Sequence, residues 1–126
     1  MTGKTVWLDV LTAKQALLMH YLSLKLRSKG YETIITCRKY DYIESLLKGY
    51  EEKFVSIGEH GGRSLSRKLA AYAKRTLELT KLINEVSPSV LISYPSPSGC
   101  RVAFGLGIPI ILMNDTCLLY TSPSPR

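Results

Sequence analysis

Three short stretches carry most of the chemistry this sequence offers. Asp9 closes an apolar run, and His60 sits in a glycine-rich turn. Ser96, Ser98 and Arg101 belong to a serine/proline loop and the helical segment behind it. Imidazole titrates near neutrality, so His60 is a candidate general acid/base. Asp9 is a candidate base, or a contact to a sugar hydroxyl. The turn Gly58-Glu59-His60-Gly61-Gly62-Arg63-Ser64 opens a long helical segment. Paired glycines let backbone amides approach a ligand closely. A helix N-terminus favours anions, and Arg63 adds charge there. Gly61, Gly62, Arg63 and Ser64 are therefore candidate phosphate or carboxylate binders. Thr12, Ser96, Ser98, Arg101 and Asp115 are further candidate substrate contacts. Each has a plainer alternative. The glycines can serve a tight turn capped by Ser64, and His60 can be an idle loop residue. Asp9 can cap the first helix alongside Thr12, and Arg101 can pin the loop by bonding its carbonyls. His20, within the first helix, reads as a surface or packing residue.

Other chemistries are not signalled. The dinucleotide fingerprint G-x-G-x-x-G and the phosphate loop G-x-x-x-x-G-K-[ST] are absent,. No serine sits in a G-x-S-x-G elbow. The cysteines Cys37, Cys100 and Cys117 have neither metal-ligand spacing nor an obvious disulfide framework,. No metal and no cofactor are expected.

The elements that must position these residues alternate. Thr5 to Asp9 is a short strand, followed by a helix capped at Thr12 and stopped at Gly30. In that helix Leu17, Tyr21 and Leu24, with Leu18 and Leu22, recur at helical spacing and predict its apolar face. Tyr31 to Cys37 is β-branched and predicts strand two, with Arg38 at its carboxyl end. Asp41 to Leu47 predicts a short helix stopped at Gly49, and Lys53 to Ile57 strand three. A long amphipathic helix runs from Leu65 to Val86. Leu65, Leu69, Tyr72, Thr76, Leu79 and Ile83 share one face, while Arg67, Lys68, Lys74 and Arg75 fall mostly elsewhere. Val90 to Ser93 is strand four. Ser96 or Ser98 caps a helix over Arg101 to Leu106, Gly107 ends it, and Ile110 to Met113 is strand five, ending on Asn114-Asp115.

Four strand–helix units and a fifth strand predict an α/β, Rossmann-like open parallel five-stranded sheet with helices on both faces. Right-handed crossovers make the order 3-2-1-4-5. Ligands of such sheets bind outside the carboxyl ends of the strands. Asp9, Arg38, His60, Ser96 and Asp115 all follow strands and gather at that edge.

Bulk properties agree with one domain. The chain has 126 residues, 45% of them hydrophobic, and a net charge of +7. No run approaches the ~18 apolar residues of a membrane span, and no signal-peptide cleavage pattern follows Met1. A cytoplasmic protein is expected. The basic residues are spread and interleaved with acids, so nucleic-acid binding is disfavoured. Cys117 to Arg126 (C-L-L-Y-T-S-P-S-P-R) reads as the translation of a transposase-based sequencing adapter,. Residues 1–116 are then the native domain, residues 117–126 a scar, and a C-terminal domain is missing.

Several stretches together resemble a known family. They are V-W-L-D-V-L-T-A-K-Q-A-L-L (Val6 to Leu18), I-G-E-H-G-G-R-S-L (Ile57 to Leu65) and S-P-S-G-C-R-V-A-F-G-L-G-I-P (Ser96 to Pro109), the last leading to N-D-T. They resemble the family called domain of unknown function 354, found chiefly in archaea, over essentially all of residues 4 to 116. Ala13 stands where that family usually has proline. The family looks like the two-domain GT-B architecture of glycosyltransferases and UDP-N-acetylglucosamine 2-epimerases. The resemblance implies the N-terminal half of such an enzyme, with a nucleotide sugar or other anionic small molecule in the cleft between halves, held largely by the C-terminal one. Transfer or epimerisation is then expected of the full-length protein rather than of this fragment. A non-catalytic ligand-binding or regulatory module on the same fold is the alternative.

Overall fold

The computed structural model describes residues 4–39 and 42–113. Asn114, Asp115 and the expected scar lie outside the described residues, as does Asp41. The elements are β1 (Thr5–Val10), α1 (Ala13–Ser28), β2 (Glu32–Lys39), α2 (Ile43–Gly49), β3 (Phe54–Glu59), α3 (Leu65–Val86), β4 (Val90–Ser93), α4 (Pro97–Gly105) and β5 (Ile110–Leu112). All strand pairs are parallel and the order is β3-β2-β1-β4-β5, as the sequence predicts. The chain starts in the middle and winds outward in both directions. Its carboxyl-edge loops therefore diverge at β1 and β4, which opens a crevice there.

Alternation along β1 builds two cores. Val6, Leu8 and Val10 face α1 and α2, where they meet Ala16, Met19, Ile43 and Leu47. Trp7 faces α3 and α4, packed among Leu79, Ile83, Leu91, Val102 and Ala103. Asp9 shares the parity of Trp7, so it points to the α3/α4 side.

Three local expectations are corrected. First, α4 begins at Pro97, four residues before Arg101. Ser96 is its N-cap, with its hydroxyl accepting from the Gly99 amide at 3.2 Å. Pro97 suits the first helical position because its missing N–H has no intrahelical partner there. Second, the inward side of α1 is Ala16, Met19 and Ser23, while Leu17, Tyr21 and Leu24 are exposed. That helix is apolar almost all round, so periodicity alone cannot choose the side. Third, Arg75 is buried on α3, whereas Leu65 and Leu69 at the start of the helix are 83% and 67% exposed.

Smaller boundary shifts follow local geometry. After α2 the left-handed residue is Glu51, at φ 59°, rather than Gly49. Gly30 and Gly107 do take positive φ, at 94° and 74°, where α1 and α4 stop. Among the described residues no helix is long and apolar enough to cross a membrane.

Candidate functional site

The carboxyl edge is organised around Asp9, which is fully buried. An isolated carboxylate there would carry a large desolvation penalty, so its partners decide whether the site is tenable. Arg75 supplies the countercharge across the layer. Its Nη2 donates to Asp9 Oδ1 at 2.8 Å and its Nη1 to Oδ2 at 3.3 Å. Thr36 Oγ1, from β2, donates to Oδ1 at 2.7 Å. Ser96 Oγ, from the start of α4, donates to Oδ2 at 2.6 Å.

The rest of the guanidinium is used as well. Arg75 Nε donates to the carbonyl of Ile57 at 2.7 Å, and Nη1 to Ser98 Oγ at 2.8 Å. Trp7 Nε1 in turn donates to Thr36 Oγ1 at 2.7 Å. One ion pair thus joins β1, β2, β3, α3 and α4 at the crevice.

Two glycines make room for this network. A Cβ on Gly99 would stand 2.6 Å from Asp9 Oδ2. A Cβ on Gly58 would stand 2.8 Å from Arg75 Cγ, and the φ of +84° there also favours glycine,.

A cleft of about 300 Å³ opens above the network. Arg38, His60, Gly61, Lys68, Tyr72 and Ser98 are among its lining residues. A second hollow of about 480 Å³ adjoins it on the outer side of β3, lined in part by Lys39, His60, Lys74 and Glu78. His60 therefore borders both. It is exposed, and its Nδ1 accepts from the Gly62 amide at 3.2 Å. With Nδ1 accepting, the neutral ring carries its proton on Nε2.

The structure separates the expected site residues into groups. His60, Gly61 and Ser98 line the cleft. Asp9 and Ser96 are sealed in the network beneath it, so Asp9 neither caps α1 nor faces open solvent. Thr12 caps α1, accepting from the Gln15 amide at 3.3 Å. Ser64 caps α3, accepting from the Arg67 amide at 3.4 Å. Gly62, Arg63, Ser64 and Arg101 are not among the cleft's lining residues. Asp115 lies outside the described residues. Gly61 is placed for packing: a Cβ would stand 2.6 Å from Lys68 Cα, so the turn lies directly on α3.

Sequence reasoning does not single out Arg75, Lys68, Tyr72 or Thr36 as site residues. A signal for the first three exists. Lys68, Tyr72, Arg75, Leu79 and Ile83 step by three or four along one stripe of α3, in phase with the core. An arginine in phase with buried apolar residues needs a buried acid, and Asp9 is the acid that the fold delivers. Among the described residues no group of three or more His, Cys, Asp or Glu side chains could hold a metal ion.

Residues 4–118 match the family described as protein of unknown function (DUF354). An uncharacterized protein of Methanocaldococcus jannaschii is 36% identical over 115 residues, covering 91% of this chain and 33% of that relative. Among solved structures, MurG of Acinetobacter baumannii is similar with a TM-score of 0.72 at 16% identity, over 86% of this chain and 34% of that one. UDP-GlcNAc 2-epimerase from Neisseria meningitidis bound to UDP-GlcNAc gives 0.69 at 16% identity, over 93% and 34%. The glycosyltransferase VinC in complex with dTDP gives 0.66 at 16% identity, over 86% and 34%. At such identities the likeness establishes the fold. The chain spans about a third of the length of each.

Proposed function

The chain belongs to the DUF354 family, and from that premise we propose that it supplies the N-terminal Rossmann-like half of a GT-B-like enzyme acting on a nucleotide-activated sugar. The reaction is glycosyl transfer or epimerisation, carried out between this half and a C-terminal half that accounts for the greater length of the relatives. In this reading residues 1–116 are the native domain and residues 117–126 are foreign to it.

The observation that supports the reading is the cleft at the divergence of β1 and β4. It is lined by three cationic side chains, Arg38, Lys68 and the Asp9-paired Arg75, against the one carboxylate Glu59, by the tyrosine Tyr72, and by a histidine that also borders the outer hollow. Arg38 and Lys68 suit an anionic group, Tyr72 a sugar face, and His60 a proton transfer. Asp9 is assigned a positioning role here. Its carboxylate is occupied by Arg75, Thr36 and Ser96, and through Ser96 it fixes where α4 starts.

Calorimetric titration of the full-length protein against UDP-, dTDP- and GDP-sugars tests the proposal. Saturable binding to at least one member is expected, and no binding across the panel removes it. If a nucleotide sugar binds but is never consumed, the alternative of a regulatory ligand-binding module takes its place.

A further inference from the structure

Thr36, Ser96 and Ser98 all present hydroxyls to the Asp9–Arg75 pair, and the first two are satisfied in both directions. Thr36 Oγ1 accepts from Trp7 Nε1 and donates to Asp9 Oδ1, each at 2.7 Å. Ser96 Oγ accepts from the Gly99 amide at 3.2 Å and donates to Asp9 Oδ2 at 2.6 Å. Ser98 differs. A guanidinium has donors and no acceptor, so the Ser98 oxygen, 2.8 Å from Arg75 Nη1, must accept,. Its one proton therefore points away from Arg75, and among the described residues no acceptor meets it. Ser98 is only 5% exposed, and it lines the cleft, as Thr36 and Ser96 do not. A buried hydroxyl proton without a partner costs free energy until something entering that space accepts it.

Other unspent donors stand beside this one. In the first turn of α4 Pro97 has no N–H, the Gly99 amide goes to Ser96 Oγ, and the Cys100 amide goes to the Ser96 carbonyl. The Ser98 amide is left without an acceptor among the described residues, at the positive end of the helix dipole. Lys68, on α3, lines the same cleft with three N–H donors and makes no ion pair among the described residues,. Arg38 and His60 line it too, each with a partner of its own. Asp9 cancels the charge of Arg75. Glu59 is the one carboxylate on the wall; it is exposed and borders the outer hollow as well. At Ser98 itself both unspent groups donate, so the matching ligand atom is one that only accepts.

We propose that Ser98 forms an oxyanion subsite at the start of α4. Its hydroxyl and amide donate to a phosphoryl or carboxylate oxygen of the ligand, and Lys68 supplies the countercharge. Asp9 and Arg75 act through Ser98: by occupying its oxygen, Arg75 turns the hydroxyl proton towards the cleft. The subsite rests on the cleft being a ligand site, as in the proposed function, and on no particular sugar or nucleotide.

Amide NMR of the full-length protein, titrated at constant ionic strength with inorganic phosphate, with acetate and with glucose, tests this. Saturable shifts at the Ser98 and Gly99 amides are expected with phosphate or acetate, and the anion that saturates first tells a phosphoryl from a carboxylate ligand. Ser98→Ala, read at Gly99, is expected to weaken that binding by roughly tenfold or more, as for a lost hydrogen bond to a charged group. Ser98→Thr keeps a hydroxyl and should restore most of it. The Arg75 Nε–H resonance, held by the Ile57 carbonyl, should stay in place in Ser98→Ala, which separates loss of the donor from collapse of the network. Lys68→Gln, at an exposed position, should also weaken binding and keeps the test open if Ser98→Ala fails to fold. Three results overturn the proposal. The first is no shift with either anion. The second is a response to glucose alone, which makes the ligand a neutral hydroxyl. The third is Ser98→Ala binding the anion as tightly as the wild type. Nucleotide sugars that bind where neither anion does would remove the subsite and leave the proposed function standing. Anions that bind at Ser98 while the whole nucleotide-sugar panel fails would do the reverse.

Discussion

Asp9 and Arg75 are 66 residues apart in sequence and within 2.8 Å in space. Such a pair weakens the fold sharply when one member is lost, because the other stays buried and uncompensated. Arg75→Met should therefore lower the unfolding free energy by about 3–5 kcal/mol. Adding Asp9→Asn to that variant should restore part of it, as read from urea denaturation midpoints. Cys37 adds a pH signature. Burial pushes its thiol from 9.0 up to about 11, chiefly by desolvation. The folded state then holds the proton more tightly than the unfolded chain. The resulting stabilisation is complete below pH 9.0 and lost as pH rises towards about 11,. Replacing Cys37 with Ala should flatten the decline in melting temperature across that window. At this scale the sequence is half legible. Asp9, near the end of β1, and His60, Ser96 and Ser98, which follow strands, are visible as polar residues at the carboxyl edge. The pairing of Asp9 with Arg75 is not, because arginine on a helix is ordinarily solvated and only the three-dimensional phase with Leu79 shows otherwise.

The elements behave as their ends dictate. Strands β1 to β5 and their order are readable because apolar runs alternate with helical spacing, and because crossovers are right-handed. The start of α4 is read four residues late from sequence, since a serine/proline loop and a serine-capped, proline-initiated helix look alike until Ser96 is seen bonding Gly99. The facing of α1 is read wrongly for Leu17, Leu18, Tyr21 and Leu24, which are exposed, and rightly for Leu22, which packs with Leu26 against the inner core; leucine occurs on both sides of the helix. That ambiguity carries its own test. Met19→Ala should destabilise the protein by about 2–5 kcal/mol, since Met19 is fully buried,. Leu17→Ser should change stability by less than about 0.5 kcal/mol. Thermal denaturation of the two variants decides which face is inward.

For the whole molecule, the network beneath the cleft and the cleft itself divide the work. The Asp9–Arg75 pair and its hydroxyl partners hold the ends of β1, β2 and β3, the start of α4 and the buried half of α3 in fixed relation. Above them, Arg38, His60, Lys68 and Tyr72 surround a space that opens to solvent. The architecture is legible because a doubly wound sheet fixes where loops converge. The identity of the ligand is not, because at these identities the likeness to solved structures speaks for the fold alone. The most direct measurement is turnover of a bound nucleotide sugar by the full-length protein, followed by proton NMR, in the wild type and in His60→Ala. The account predicts that the variant keeps its unfolding midpoint while its rate falls by roughly 10²- to 10⁴-fold. A variant that consumes the nucleotide sugar at the wild-type rate would contradict it.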